Sequence, residues 1–328
     1  MKVHAFVFEK AGAPSVMKWR TFELGDPGPN EALIRHTAIG LNFIDIYYRS
    51  GLYPPSSSSP HGLGLEGAGI VEAVGKNVSH IRKGDRVAYG SGPLGAYSEA
   101  RIMPANVLIK LPKAIEDDQA AAMMLKGMTV EYLVNRTHKV KQDEWVLFQA
   151  AAGGVGLIAG QWLDAIGAHA IGTAGGPKKV KLAKEHGYEH VIDYKKTQNI
   201  ADRVKKLTKG EGVPVVYDSV GKDTWVQSLN SLRPRGLMVS FGNSSGPVSN
   251  FGLGELASRG SLHVTRPSLM TYTSTRQELE SSTRALFKMV TSGKIKIEIN
   301  QTYPLKEAPQ AHRDLEDRKT TGSTILIP

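Results

Sequence analysis

The sequence predicts an α/β protein in two parts: an all-β, barrel-like unit, followed by a doubly wound parallel sheet. Three observations carry this. Residues Trp145 to Gly156 read WVLFQAAAGGVG, an apolar run that ends in clustered small residues and then takes up 3.6-residue periodicity in LIAGQWLDAIGA. That is how a buried strand turning tightly into a helix looks in sequence. After this turn, apolar strand candidates alternate with helical segments; before it, short apolar runs are closely punctuated by glycine and proline.

Length and composition set the outer bounds. At 328 residues the chain is long enough for two domains, each with its own core. It contains no cysteine, which excludes disulfides, thiolate metal sites and cysteine nucleophiles. The opening MKVHAFVFEKAG lacks a charged-then-apolar signal pattern, and no apolar run approaches membrane-spanning length, so a cytoplasmic protein is expected. Net charge is +10, from 41 Lys+Arg against 31 Asp+Glu. The basic residues are scattered, with short clusters only at Lys178, Lys179 and Lys181 and at Arg203, Lys205 and Lys206. That distribution fits a solvated basic surface better than a nucleic-acid site.

Residues 1 to about 124 carry the runs HAFVF, ALIRHTAIGL, GAGIVEAVG, DRVAYG and NVLIKL, broken by Pro27-Gly28-Pro29 and Pro54-Pro55. This spacing predicts a barrel-like sheet, with Ser56 to Pro60 as a loop. From Asp117 the pattern DDQAAAMMLKGMTVEYLVNRT turns helical, with an acidic start, and is read as a helix linking two domains. Counting Trp145 to Gln149, six strands are expected in the second part. The others are Ala168 to Thr173, His190 to Asp193, Val213 to Asp218, Leu237 to Phe241 and Ser261 to Thr265. The tail, 266 to 328, offers one amphipathic helix, IKIEIN, a second short helix and STILIP, too little for a domain. It is therefore expected to rejoin an earlier one.

The small residues of the central turn point to a dinucleotide. Gly153 lets the backbone approach a pyrophosphate, Gly156 lets helix and strand pack closely, and N–H groups at the helix start face the phosphates. The pattern is AxGxxG, with Ala151 in the place of the first glycine. An NAD site would place a carboxylate about 20 residues on. Here Gly172 to Gly176 read GTAGG, followed by Pro177, Lys178 and Lys179. Lysine donors without an acid favour a 2′-phosphate, hence NADPH over NADH; the competing reading is that these lysines merely open a surface helix. Asp218, in YDSVG, reads either as a catalytic acid or as a loop-structuring aspartate.

Several segments together resemble the zinc-independent quinone oxidoreductases of the medium-chain dehydrogenase/reductase superfamily. They are GLNFIDIYYRSGLYP (40–54), GLEGAGIVEAVG (64–75), MLKGMT (124–129), AAAGGVGLIAGQW (150–162), VVYDSVG (215–221), RGLMVSFGNSSG (235–246) and the closing LIP. The resemblance implies a GroES-like catalytic domain, 1–124 plus 266–328, with a Rossmann NADPH-binding domain, 125–265, inserted, and a homodimer or homotetramer. By position it implies that Asn42, Asp45 and Tyr53, with Lys126 and Thr129, line the nicotinamide and substrate side. Ala152, Gly153, Gly154 and Val155 would hold the pyrophosphate. Gly175, Lys179 and Tyr194 would surround the 2′-phosphate, and Ser219, Phe241, Gly242, Asn243 and Arg318 would complete the site. Asp164 departs from the family, which has a basic residue there.

Zinc-dependent relatives use a cysteine in the segment equivalent to GLNFID and a histidine before the glutamate of a GHE motif. This chain has Asn42 in the first and Gly64-Leu65-Glu66 in the second, with His61 expected in a surface loop, so no metal is expected. Without a Lewis acid, a quinone or an activated enone suits direct hydride transfer better than an alcohol does. Tyr47, Tyr53 and Lys126 are candidates for a hydrogen bond to the developing oxyanion or for stacking on a flat acceptor; core packing is the alternative for each tyrosine. The expected activity is NADPH-dependent reduction of a quinone, with α,β-unsaturated carbonyls as the alternative acceptors. A nucleic-acid-binding protein with a retained cofactor site is the minority reading.

Overall fold

The computed structural model describes residues 1–55, 59–197 and 199–328. The expected loop at Ser56 to Pro60 falls, for residues 56–58, outside the described residues. Backbone contacts divide the chain into two units: Met1–Met128 with Thr273–Thr291 and Ile297–Pro328, and Thr129–Tyr272 with Ser292–Lys296.

In the first unit, β1 (Lys2–Phe8) pairs antiparallel with β2 (Lys18–Glu23) and with β4 (His61–Gly62). A larger sheet is organised on β3 (Glu31–Leu41). It pairs with β5 (Glu66–Val74), and β5 continues to β6 (Arg86–Tyr89) and β8 (Ile109–Lys110). The first half of β3 also pairs with β7 (Ala100–Pro104). Ile34 and Ile39 of β3 are wholly buried, packing with Phe6, Phe8, Val71 and Val87. His61 is therefore in a short strand against Phe8, not in the surface loop expected for it.

The all-β expectation for this unit fails at residues 43–50. Residues Phe43–Ser50 form helix α1, started by Asn42 and closed by Gly51 at φ 86°. FIDIYY is rich in residues that favour strands, but Ile46 and Tyr47 are buried and Asp45 caps the helix start. Burial and capping outweigh intrinsic propensity here. Helix α2 (Asp117–Tyr132) begins in the first unit and is extended by a π-helical turn, Leu133–Thr137.

The second unit holds β9 (Trp145–Phe148), β10 (His169–Ala174), β11 (His190–Asp193), β12 (Val213–Asp218), β13 (Leu232–Ser240) and β14 (His263–Thr265). All pair in parallel, in the order β11-β10-β9-β12-β13-β14. This is a doubly wound sheet, and ligands bind outside the carboxyl ends of such strands where the order reverses, here between β9 and β12. Strand β13 starts earlier than predicted, at Leu232, with a register irregularity against β12 near Val213. Helices α3 (Gly154–Ile166), α4 (Pro177–Glu185), α5 (Ile200–Leu207) and α6 (Trp225–Ser231) follow successive strands. Asp164 is exposed on α3. Short helices α7 (Gly254–Ser258) and α8 (Leu269–Tyr272) flank β14.

The tail supplies α9 (Arg276–Thr291), β15 (Ile299–Pro304), α10 (Ala308–Glu316) and β16 (Ser323–Ile327). Strand β16 pairs antiparallel with the end of β3, Thr324 opposite Leu41. IKIEIN mostly precedes its strand, because Ile295 and Ile297 are used as buried anchors before β15 begins.

Candidate active site

Two clusters of expected site residues are built, one in each unit. In the first unit the centre is Glu66, the opening residue of β5 and fully buried. Its Oε2 accepts from Asn42 Nδ2 (2.7 Å) and Lys126 Nζ (3.0 Å), and its Oε1 accepts from the Leu125 N–H (2.7 Å). Asn42 and Lys126 are themselves nearly closed to solvent. A buried carboxylate is tolerable only with such partners.

Asp45, expected to line the cofactor, belongs to the same buried cluster. Its side chain is fully buried. Oδ2 accepts from the Asn42 N–H (2.9 Å) and the Tyr97 hydroxyl (3.0 Å), while Oδ1 has no hydrogen-bond partner among the described residues. Burial pushes its carboxyl up to about 7. The Tyr97 hydroxyl also lies 3.0 Å from Nε2 of buried His312, whose imidazole burial holds down at about 3. Asp45 therefore fixes the start of α1 and, with it, Asn42. Tyr47 is buried and Tyr53 half-buried, and their rings meet edge to face at 5.2 Å, with Phe43 6.2 Å from Tyr47. Arg318, with φ 58°, is exposed just after α10.

In the second unit the turn between β9 and α3 has the predicted shape. Gly153, extended at φ −84° and ψ 171°, caps α3, so the first-turn N–H groups of Gly154 and Val155 have no acceptor within the helix. A Cβ on Gly153 would meet only Ala150 O, at 3.3 Å, whereas one on Gly156 would collide with the Ala150 and Ala151 carbonyls. Close packing is the role expected of Gly156. The left-handed residue of the turn is Ala150, at φ 57°. Ala152 and Thr129 are buried.

The Tyr194 ring lies against Gly175, where a Cβ would be 2.5 Å from the hydroxyl. Tyr194 is 40% exposed, Lys179 is half-buried, and Lys178, Lys195 and Lys196 are exposed. Asp193 is committed to backbone, accepting from the N–H groups of Gly176 (2.9 Å) and Lys195 (3.0 Å). The Gly176 bond is the main reason its carboxyl is held below the usual range.

At the end of β12, Asp218 is a loop-structuring residue. Oδ1 accepts from the N–H groups of Val220 and Gly221, and Oδ2 from the hydroxyls of Thr224 and Ser228. Ser228 in turn accepts from Gln149 Nε2 (3.0 Å), and Gln149 Oε1 accepts from Thr173 Oγ1 (2.6 Å). This buried chain ties together the ends of β10, β9 and β12, and no local sequence pattern signals it. Across from it, a Cβ on Gly242 would be 2.5 Å from Ser219 O, so the Ser219 and Phe241–Asn243 backbones are in direct apposition. The Arg266 guanidinium donates to Ser240 Oγ (3.1 Å) and Gly242 O (2.9 Å), and so holds the Phe241–Asn243 loop. The narrow glycine backbones at the carboxyl ends of the strands form a cradle that fits a dinucleotide.

A doubly wound parallel sheet with a dinucleotide-type glycine turn, joined in one chain to a β-rich unit, is the fold class of the alcohol-dehydrogenase-like oxidoreductases. The family models agree: residues 28–113 match the alcohol dehydrogenase GroES-like domain, and residues 154–287 match the zinc-binding dehydrogenase domain. The chain belongs to the quinone oxidoreductase family of the medium-chain dehydrogenase/reductase superfamily. It is 53% identical to a Pseudomonas aeruginosa quinone oxidoreductase over 98% of both chains. It is 43% identical to a Burkholderia 2-haloacrylate reductase over 99% of both. Escherichia coli quinone oxidoreductase, solved in complex with NADPH, superposes with a TM-score of 0.97 at 51% identity, covering 99% of this chain and 100% of that one.

Proposed function

We propose that this chain is an NADPH-dependent oxidoreductase that reduces quinones. The observation that carries the reading is its end-to-end likeness to Escherichia coli quinone oxidoreductase solved with NADPH. The glycine cradle and the Gly175–Tyr194 pocket with its lysines fit that cofactor. When bound, NADPH supplies the hydride.

The residues of the chain then bind, orient and stabilise. Gly153 to Val155 take the pyrophosphate on helix N–H groups, and Lys179 and Tyr194 take the 2′-phosphate. Ser219, Phe241, Gly242, Asn243, Thr129 and Arg318 complete the cofactor's surroundings. Asn42 and Lys126 serve the nicotinamide and acceptor, Lys126 donating a hydrogen bond to the oxygen that gains negative charge. Tyr47 and Tyr53 offer aromatic faces to a flat acceptor. Asp45 acts through Asn42.

The enzyme works in the cytoplasm as a homodimer or homotetramer. Supporting an oligomer, β14 is the outermost strand of its sheet and carries Val264, 37% exposed. Among the described residues no helix is long and apolar enough to cross a membrane. A second acceptor class, activated carbon–carbon double bonds, is favoured by the likeness to 2-haloacrylate reductase.

The test is steady-state oxidation of NADPH and NADH with a small benzoquinone, a planar polycyclic quinone and a panel of enones, with and without chelator. Turnover of quinones with NADPH, much weaker turnover with NADH and no chelator effect is expected. Turnover with enones alone would transfer the assignment to the second acceptor class.

A further inference from the structure

Glu66 has no place in the chemistry assigned above, yet it is the most heavily bonded side chain of its cluster. Its seat is specially made: a Cβ on Gly40, on the adjacent strand, would collide with Glu66 Oε2 and with Ala121 O. One carboxylate oxygen takes both the Lys126 ammonium and the Asn42 carboxamide, and the other takes the Leu125 N–H, one residue before Lys126 on α2. Three elements, the loop before α1, β5 and α2, thus converge on a single buried anion.

We propose that Glu66 is a positioning residue for hydride transfer, holding the Lys126 ammonium and the Asn42 amide in one rigid array that stabilises the acceptor oxyanion. The inference rests on the proposed reading that Lys126 and Asn42 serve the nicotinamide and acceptor. The carboxylate fixes the ammonium through one N–H and leaves its other N–H donors for the acceptor. Because the array is set before reaction, no reorganisation is needed as charge develops.

Glu66→Gln keeps the shape and removes the charge. The expected result is a fall in kcat of about tenfold or more, with KM for NADPH within about threefold of wild type. In cofactor-free protein labelled with nitrogen-15 lysine, the Lys126 Nζ resonance should shift and broaden in the variant, because the ammonium loses the partner that fixes it. In a Lys126→Met background, Glu66→Gln should have almost no further effect on kcat. An unchanged Lys126 resonance, or effects of the two substitutions that simply multiply, would overturn the proposal. If Glu66→Gln does not fold, Glu66→Asp takes its place: kcat should fall at constant NADPH affinity, and a wild-type kcat overturns the idea. Should wild-type protein reduce no acceptor, the functional reading fails, while the lysine resonance still decides whether Glu66 holds Lys126.

Discussion

The Tyr194 hydroxyl stands 2.5 Å from the point where a Cβ on Gly175 would lie, so the phenol rests directly on bare backbone. Half-buried Lys179 opens the helix that follows. Replacing Lys179 with Ala is expected to raise KM for NADPH by about 10- to 100-fold, the worth of a hydrogen bond to a charged group, and to leave NADH nearly unchanged. Parallel kinetics with the two cofactors check this; equal loss for both would remove Lys179 from the 2′-phosphate site.

Gly153 and Gly156 should separate binding from folding. Gly153→Ala meets only one carbonyl, at 3.3 Å, so unfolding free energy should change by under about 1 kcal/mol while NADPH affinity falls about tenfold or more. Gly156→Ala drives a methyl into two carbonyls and should cost about 1–3 kcal/mol even without cofactor. Urea unfolding and fluorescence titration of NADPH give the two readouts.

Asp45, His36 and His312 make opposing contributions to stability as pH changes. Burial raises Asp45 from 3.8 to about 7, so its contribution is full below pH 3.8 and is lost as pH rises to about 7. Burial lowers both histidines from 6.5 to about 3, so their contribution is full above pH 6.5 and is lost as pH falls toward 3. Between about pH 4.5 and 6, Asp45 cancels one histidine. Asp45→Asn should therefore make stability rise with pH more steeply than in wild type, by about 1.4 kcal/mol per unit. Urea unfolding across this window measures it; identical slopes would mean that Asp45 titrates normally.

Ala150 occupies the left-handed region at φ 57°, where an L residue is strained by about 1–2 kcal/mol. Glycine relieves that strain but adds about 0.5–1 kcal/mol of chain entropy cost. Ala150→Gly is therefore expected to stabilise the protein by about 0.5–1 kcal/mol, seen as a higher urea midpoint. A lower midpoint would show that the methyl contributes packing that outweighs the strain.

Much of the nucleotide-binding unit is legible in the amino-acid order because it is written locally. The turn at Ala150 to Gly156, the parallel strands after it and the missing acid near Gly175 are short-range patterns of small, apolar and charged residues. They depend on backbone space and periodicity, which neighbours in sequence determine. Helix α1 is not legible in this way. Its aromatic and branched residues favour strands, and only burial of Ile46 and Tyr47 with the Asp45 cap decides otherwise.

What the sequence alone determined is the nucleotide-binding architecture and the types of residue offered as a candidate site. Tertiary structure alone decided how those residues are held. Glu66 meets Lys126 across 60 positions, Gln149 meets Ser228 across 79, and Tyr97 meets His312 across 215. It also joined Asp45 to the Asn42 N–H and the Tyr97 hydroxyl. Such pairings arise because buried polar groups must find partners wherever the folded chain supplies them, and no local periodicity records where that will be.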